Sequence, residues 1–193
     1  MPKLGMEPIR RDAVVKATIA EIGLHGHMDV TVAQIARRAG MSTALAHHYF
    51  GGKNQIILAA MRHMLGNYAA GVREAQAGAT DPRQRLIALV EANFAAPNFR
   101  QETVRAWLNF YVLAESDDAA RRLVRIYHRR LHSNLLHDLR RICPDRAEGA
   151  ARHIAALIDG AYLREALASR PPDGEAAARM VLAALAAEIG PQP

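Results

Sequence analysis

The stretch Thr31 to Lys53, TVAQIARRAGMSTALAHHYFGGK, constrains this chain more than any other, because it codes two short helices separated by one tight turn. Thr31 followed by Gln34 is a capping box: the threonine oxygen accepts from a free backbone N–H of the first turn, and the glutamine reaches back. Val32, Ile35, Ala36 and Ala39 share one helical face while Arg37 and Arg38 take the other. Gly40 supplies the left-handed residue that ends the first helix. Ser42 then caps a second, running through Thr43, Ala44, Leu45, Ala46, His47, His48 and Tyr49. A helical hairpin of purely structural use has the same outline. The reading with a function is a helix-turn-helix whose second helix enters the DNA major groove while the first crosses the backbone.

In that reading Thr43, Ala44, His47 and His48 face base edges, and Tyr49 with Lys53 meets phosphates at the exit of the helix. The pattern Thr31, Ile35, Ala36, Ala39, Gly40, Ser42, Tyr49, Phe50 and Lys53 resembles the DNA-binding segment of TetR-family repressors. Ala44 stands where that family usually has Gly, and His47 where it usually has Tyr. The candidate DNA-contacting set is Thr31, Gln34, Arg37, Ser42, Thr43, Ala44, His47, His48, Tyr49 and Lys53. The resemblance implies an all-α, TetR-like fold of about nine helices. Its N-terminal three-helix DNA-binding domain would span residues 1–52, and a ligand-binding and dimerisation domain residues 53–193. It also implies double-stranded DNA with a palindromic operator as partner.

Composition agrees with an all-helical chain. Half of the 193 residues are apolar, only 5% are aromatic, and Pro or Gly punctuates the sequence at helix-length intervals. The net charge of +6 suits a polyanionic partner. All but Lys3, Lys16 and Lys53 of the 25 basic residues are arginine. Cys143 has no partner for an internal disulfide and reads as a buried small hydrophobe; no signal peptide or long apolar span is evident, so a cytoplasmic setting with no membrane association is expected.

In chain order, Met1 to Glu7 reads as a basic-leaning arm without regular structure, followed by a helix from about Pro8 to about Leu24 closed by Gly23 and Gly26. Arg10, Arg11 and Lys16 are either a solvated face or phosphate contacts. A long helix follows Lys53 to about Gln76, a stiff connection between the two domains. Asp81–Pro82 starts the next, which Pro97 ends; another spans about Arg100 to Ala114. Glu115, Asp117 and Asp118 open an arginine-rich helix reaching about Arg141, read as a solvated face. Two last helices, about Arg146 to Ala168 and Gly174 to Ile189, present alanine-rich faces. Ala150, Ala151, Ile154, Leu157, Ile158 and Ala161 lie on one, and Ala177, Met180, Val181, Ala184 and Leu185 on the other. Two such hairpins from two subunits would pack as a four-helix homodimer contact.

The aromatics concentrate in RAWLNFYVLAE, where Trp107, Tyr111 and Glu115 form one stripe beside Phe110; Phe94 and Tyr162 could face it. Rings with a carboxylate suit a quaternary ammonium, although ordinary core packing has the same pattern. Asp159, inside the apolar run AALIDGAYL, needs an arginine, a hydrogen-bond network or a bound cation. More narrowly, MPKLGMEPIRR, WLNFY, the RRLHSNL run around Leu131 and ALIDGAYLREAL resemble the BetI-type repressors, which control the conversion of choline to glycine betaine. That likeness implies choline as the small-molecule inducer, no cofactor, and release from the operator on binding. A TetR-type repressor answering a different small cationic or amphipathic ligand is the alternative. A helical adaptor protein fits less well, and so does an enzyme. No nucleophile–base pair, metal set or phosphate loop stands out, and His128 and His132, though at metal-binding spacing, read as surface or dimer-rim residues.

Overall fold

A computed structural model of the protein describes residues 5–96 and 98–190. Among these, nine helices and no strand occur: α1 Met6–His25, α2 Val32–Arg38, α3 Thr43–Phe50, α4 Lys53–Gln76, α5 Pro82–Phe94, α6 Gln101–Ser116, α7 Asp118–Ile142, α8 Ala147–Leu167 and α9 Gly174–Ile189. Side-chain caps start five of them. Thr31, Ser42, Asp81, Asp117 and Asp173 each accept from a backbone N–H three residues on.

Three boundaries correct the sequence reading. Met6 and Glu7 belong to α1 rather than to an arm, because Gly5, at φ 114°, turns the chain into the helix; Met1 to Leu4 lie outside the described residues, as does Pro97. Glu115 ends α6 instead of opening α7, whose N-cap is Asp117. Gly23 does not close α1. It sits inside the helix, and Gly26, at φ 71°, ends it. A Cβ on Gly23 would lie 2.4 Å from both the Cα and the carbonyl oxygen of Glu102, so the absent side chain lets the backbones of α1 and α6 touch.

Helix α1 therefore serves two masters. It roofs α2 and α3, with Val14, Ile22 and Ile35 wholly buried, and it also packs along α4 and α6. Each such side chain contributes roughly 1.5–3 kcal/mol by leaving water. The opposite end of α4 is fastened by charge: Gln76 donates to the Arg85 carbonyl at 3.0 Å, and the Arg85 Nε lies 3.1 Å from both oxygens of Asp138, which is 0% exposed. A buried carboxylate so paired holds α4, α5 and α7 in register.

A second buried acid ties α1 to α2. Arg38 Nε donates to Glu21, and His25 sits 3.1 Å from its other oxygen. The Arg38 hydrogen bond holds the Glu21 carboxyl below its usual range, against the opposing pull of burial. A depressed folded-state pKa stabilises the fold above the ordinary Glu value, about 4.3, and that stabilisation fades as pH falls through the lower folded value. Glu21→Gln should therefore flatten the loss of urea resistance between about pH 5 and pH 3; an unchanged slope would remove Glu21 from the acid response.

The alanine-rich faces of α8 and α9 are largely consumed within the chain. Ala150, Ala151, Ile154, Ile158 and Ala161 are buried, as are Ala177, Val181 and Leu185, because α8 packs on α6 and α7, and α9 on α5 and α8. Leu157 and Met180 of those same faces stay outward, at 37% and 45% exposure, together with Leu163 at 48% and Leu167 at 70%. The arginines of α7 are exposed, and Arg121 binds Asp118 and the α6 carbonyls of Ala114 and Glu115.

Candidate functional site

The helix-turn-helix forms as its caps dictate. Gln34 N–H donates to Thr31 Oγ1 at 3.1 Å and Thr31 N–H to Gln34 Oε1 at 2.7 Å, so both side chains are engaged in the cap. Gly40 turns at φ 69°. Ser42 receives the Leu45 N–H at 3.2 Å, which starts α3. Ala46 faces the core, while Arg37, Ser42, Thr43, Ala44, His47 and His48 are exposed. The Nδ1 of His47 lies 3.3 Å from the Gly51 carbonyl. A carbonyl only accepts, so this contact places the proton on Nδ1 and leaves Nε2 of the neutral ring as an outward acceptor.

Two of the N-terminal cations of α1 are bound to α3. Arg11 donates to the Tyr49 carbonyl at 2.5 Å and lies 4.6 Å over the Phe50 ring, and Arg10 reaches the Tyr49 hydroxyl at 3.4 Å. A guanidinium at the last carbonyls of a helix is favoured by the helix dipole as well as by the hydrogen bond. Lys16 pairs with Asp12 at 2.7 Å. Lys53 is the first residue of α4 and is partly exposed next to Tyr49 and the Gly51–Gly52 turn.

The second site is a small, largely enclosed cavity of about 10 Å³ between α4, α5, α6, α7 and α8, lined by Tyr68, Asn93, Asn98, Trp107, Tyr111, Tyr127 and Tyr162. The only tryptophan and four of the five tyrosines of the chain thus surround one point. Trp107 lies 5.2 Å from Tyr127 and 6.1 Å from Tyr111, ring centre to ring centre. Behind them Asp159 Oδ1 accepts from the hydroxyls of Tyr127 at 2.9 Å and Tyr111 at 3.1 Å, and His128 approaches Oδ2 at 3.4 Å while stacking on Tyr111. Burial pushes all four phenols well above their ordinary pKa, and the negative charge of Asp159 adds to the rise. They remain neutral donors throughout the physiological range.

Of the residues singled out in the sequence, Trp107, Tyr111 and Tyr162 line this cavity. Asp159 stands one layer back, bridging two of its rings. Phe94 and Phe110 form an outer packing layer: Phe94 contacts Phe99 and Tyr162, and Phe110 meets Trp107 edge-on. Glu115 is exposed near the end of α6 and does not line the cavity, because the stripe of Trp107 and Tyr111 has left the core one turn later. The sequence reading missed Tyr127, Asn93 and Asn98, and did not place Tyr68 in the site. His128, read as a surface or dimer-rim residue, is exposed and also reaches the Asp159 cluster. Tyr127 and His128 sit among arginines, which masks them; the series Val124, Tyr127, Leu131, Leu135, at spacings of three, four and four, was the available signal. Trp107 and Asn98 are also the wall shared with an open cleft of about 510 Å³ between α1, α4 and α6.

Among the described residues, no His, Cys, Asp and Glu come together as a metal set, and no helix is long and apolar enough to cross a membrane.

Residues 14–60 match the family described as bacterial regulatory proteins, tetR family, and residues 82–190 match the BetI-type transcriptional repressor C-terminal family. The chain is 48% identical over 194 residues to the HTH-type transcriptional regulator BetI of Brucella melitensis biotype 2, covering 100% of this chain and 98% of that protein. It is 50% identical over 177 residues to BetI of Rhizobium meliloti strain 1021, covering 91% and 87%. In structure it is similar to a TetR transcription regulator from Haloarcula marismortui, at TM-score 0.82 and 22% identity over 93% of this chain and 98% of that one. A transcriptional regulator from Saccharomonospora viridis, solved in complex with choline, aligns at TM-score 0.79 and 21% identity over 90% and 93%. With curated relatives that are regulators and not enzymes, and with both halves matched, the chain belongs to the TetR family and is a transcriptional repressor of the BetI type.

Proposed function

We propose that the protein represses choline-to-glycine-betaine genes as a homodimer on a palindromic operator and lets go when choline enters the aromatic cavity. The observation that carries this reading is the concentration of Trp107, Tyr68, Tyr111, Tyr127 and Tyr162 around one point, with a carboxylate behind two of the rings. A quaternary ammonium cannot donate a conventional hydrogen bond, and π faces in a negative field are what binds it, at roughly 0.5–2 kcal/mol for each well-placed ring. The choline complex of the Saccharomonospora viridis regulator supports the choice of ligand.

Residues 1–52 would read DNA and residues 53–193 would sense ligand and dimerise. Thr43, Ala44, His47 and His48 face bases; Thr31, Gln34, Arg37, Ser42, Tyr49 and Lys53 lie along the phosphates. The outward Leu157, Leu163, Leu167 and Met180 supply the dimer contact. Choline has seven heavy atoms, and a space of about 10 Å³ holds about one water. Entry must therefore part the walls, so the ligand binds an opened conformer better than the closed one, and only such a difference can shift the equilibrium. The opened walls include α4, which begins beside Lys53, and α6, which rests on α1 at Gly23.

The test is binding of the purified protein to the DNA upstream of its own gene, over a salt series, with and without choline. Specific binding with a steep salt slope, weakened by choline, is expected. Tight operator binding that saturating choline leaves untouched would pass the role of inducer to a different small amphipathic molecule.

A further inference from the structure

Among the described residues, two polar atoms in the cavity wall are buried without a well-formed hydrogen bond, the Tyr68 hydroxyl and Asn93 Oδ1, although the Asn93 side chain lies near enough to the Tyr68 hydroxyl to oppose the effect of burial on it. Tyr68 is 6% exposed and Asn93 1%. The amide orientation of Asn93 is fixed by its own neighbours: Nδ2 donates to the Leu89 carbonyl at 2.8 Å, so Oδ1 faces the cavity as a pure acceptor. The Asn93 backbone carbonyl is taken by the Tyr162 hydroxyl at 2.6 Å. The Tyr68 phenol, kept neutral by burial, both donates and accepts. Orphaned buried polar groups are costly in a fold, and a pair of them in one cavity marks the place where a ligand completes the set.

From this, and resting on the reading of the cavity as a quaternary-ammonium site, we propose that Tyr68 and Asn93 select the hydroxyl of the ligand. A hydroxyl has what both atoms lack: it donates to Asn93 Oδ1 and accepts from the Tyr68 phenol. The cation then lies toward Trp107, Tyr111 and Tyr127, with Asp159 behind them. A carbonyl has no proton to give Asn93. A carboxylate has none either, and it carries its charge into the field of Asp159 and against Oδ1. The site thus takes quaternary-ammonium alcohols and turns away the corresponding acids, so the fully oxidised product of such an alcohol does not occupy the sensor. Sites built to hydrogen-bond a hydroxyl discriminate strongly against analogues without it.

Binding by quenching of Trp107 fluorescence, the sole tryptophan, tests this with choline, ethyltrimethylammonium and glycine betaine. The wild-type protein should prefer choline to ethyltrimethylammonium by about tenfold or more, with glycine betaine weaker than both. Tyr68→Phe should bring the two cations to within about twofold of each other while still binding both, and thermal unfolding of the unliganded variant should match or exceed wild type, since an orphaned hydroxyl has gone. Asn93→Ser, which shortens the acceptor, should shift the same ratio in the same direction. Equal affinity of wild type for choline and ethyltrimethylammonium, or glycine betaine binding as tightly as choline, would overturn hydroxyl selection and leave the cation site standing. Failure of both cations to bind at all would overturn the cavity reading and this inference together.

Discussion

Trp107→Ala is expected to bind operator DNA about as well as wild type and to need about thirtyfold more choline for release, the upper end of a desolvated cation–π contact of about 2 kcal/mol. Trp107 stands between Tyr111 and Tyr127 on one side and the cleft against α1 on the other. Removing it takes away the largest ring of the cavity wall and the ring neighbour of both Tyr111 and Tyr127. The cavity left behind costs about 3–5 kcal/mol of stability, so near-UV circular dichroism and a thermal scan should accompany the release curve. A folded variant that releases DNA at the wild-type choline concentration would make these rings core packing and move the inducer site elsewhere.

Gly23→Ala carries the second large effect, and its sign is the informative part. Replacing a glycine in a helix interior by alanine normally stabilises, by roughly 0.5–1 kcal/mol, through backbone entropy. Gly66, within α4 and with nothing within 4 Å of a built Cβ, should behave that way. At Gly23 the added methyl would meet the Glu102 backbone at 2.4 Å, and backbone atoms cannot swing aside as a side chain would. Overpacking of this kind costs about 1–3 kcal/mol, a melting temperature roughly 2–10 °C lower for a chain of this length. Operator affinity should fall too, because α1 moved off α6 no longer holds α2 and α3 in place. If Gly23→Ala melts higher than wild type, as Gly66→Ala should, then α1 and α6 do not touch there.

These positions also show where sequence reasoning reached and where it stopped. Thr31, Ser42 and Asp81 were legible because a cap is a local event: one oxygen, one N–H three residues on, and nothing distant involved. The boundaries of α4 and α9 were legible as well, α9 starting on an Asp173 cap and α4 directly after Gly51–Gly52 with no side-chain cap. Trp107 and Tyr111 were found because they repeat on one helix. Tyr68, Asn93 and Tyr127 reach the same cavity from three other helices, and no spacing along a chain records such a meeting. Gly23 was misread as punctuation since a glycine needed for helix contact and one needed for a turn look alike until the neighbour is known. The alanine faces of α8 and α9 carry the same ambiguity: small residues mark close packing without saying whether the partner is another chain or the next helix.

The fastening of Gln76 to Arg85, and of Arg85 to the buried Asp138, fixes one end of α4 and so sets a mechanical ratio. At 1.5 Å per residue, Tyr68 stands about 12 Å from that pivot and Lys53 about 35 Å. A wall displaced by about 1 Å at Tyr68 to admit a ligand would therefore swing the start of α4 by about 3 Å, a gain of nearly three, if the helix stays straight. That travel is comparable to the rise of one base pair along the DNA axis, about 3.4 Å. In the proposed homodimer, two copies moving in opposite senses would change the separation of the two recognition helices by more than a base-pair step when the proposed ligand of seven heavy atoms enters.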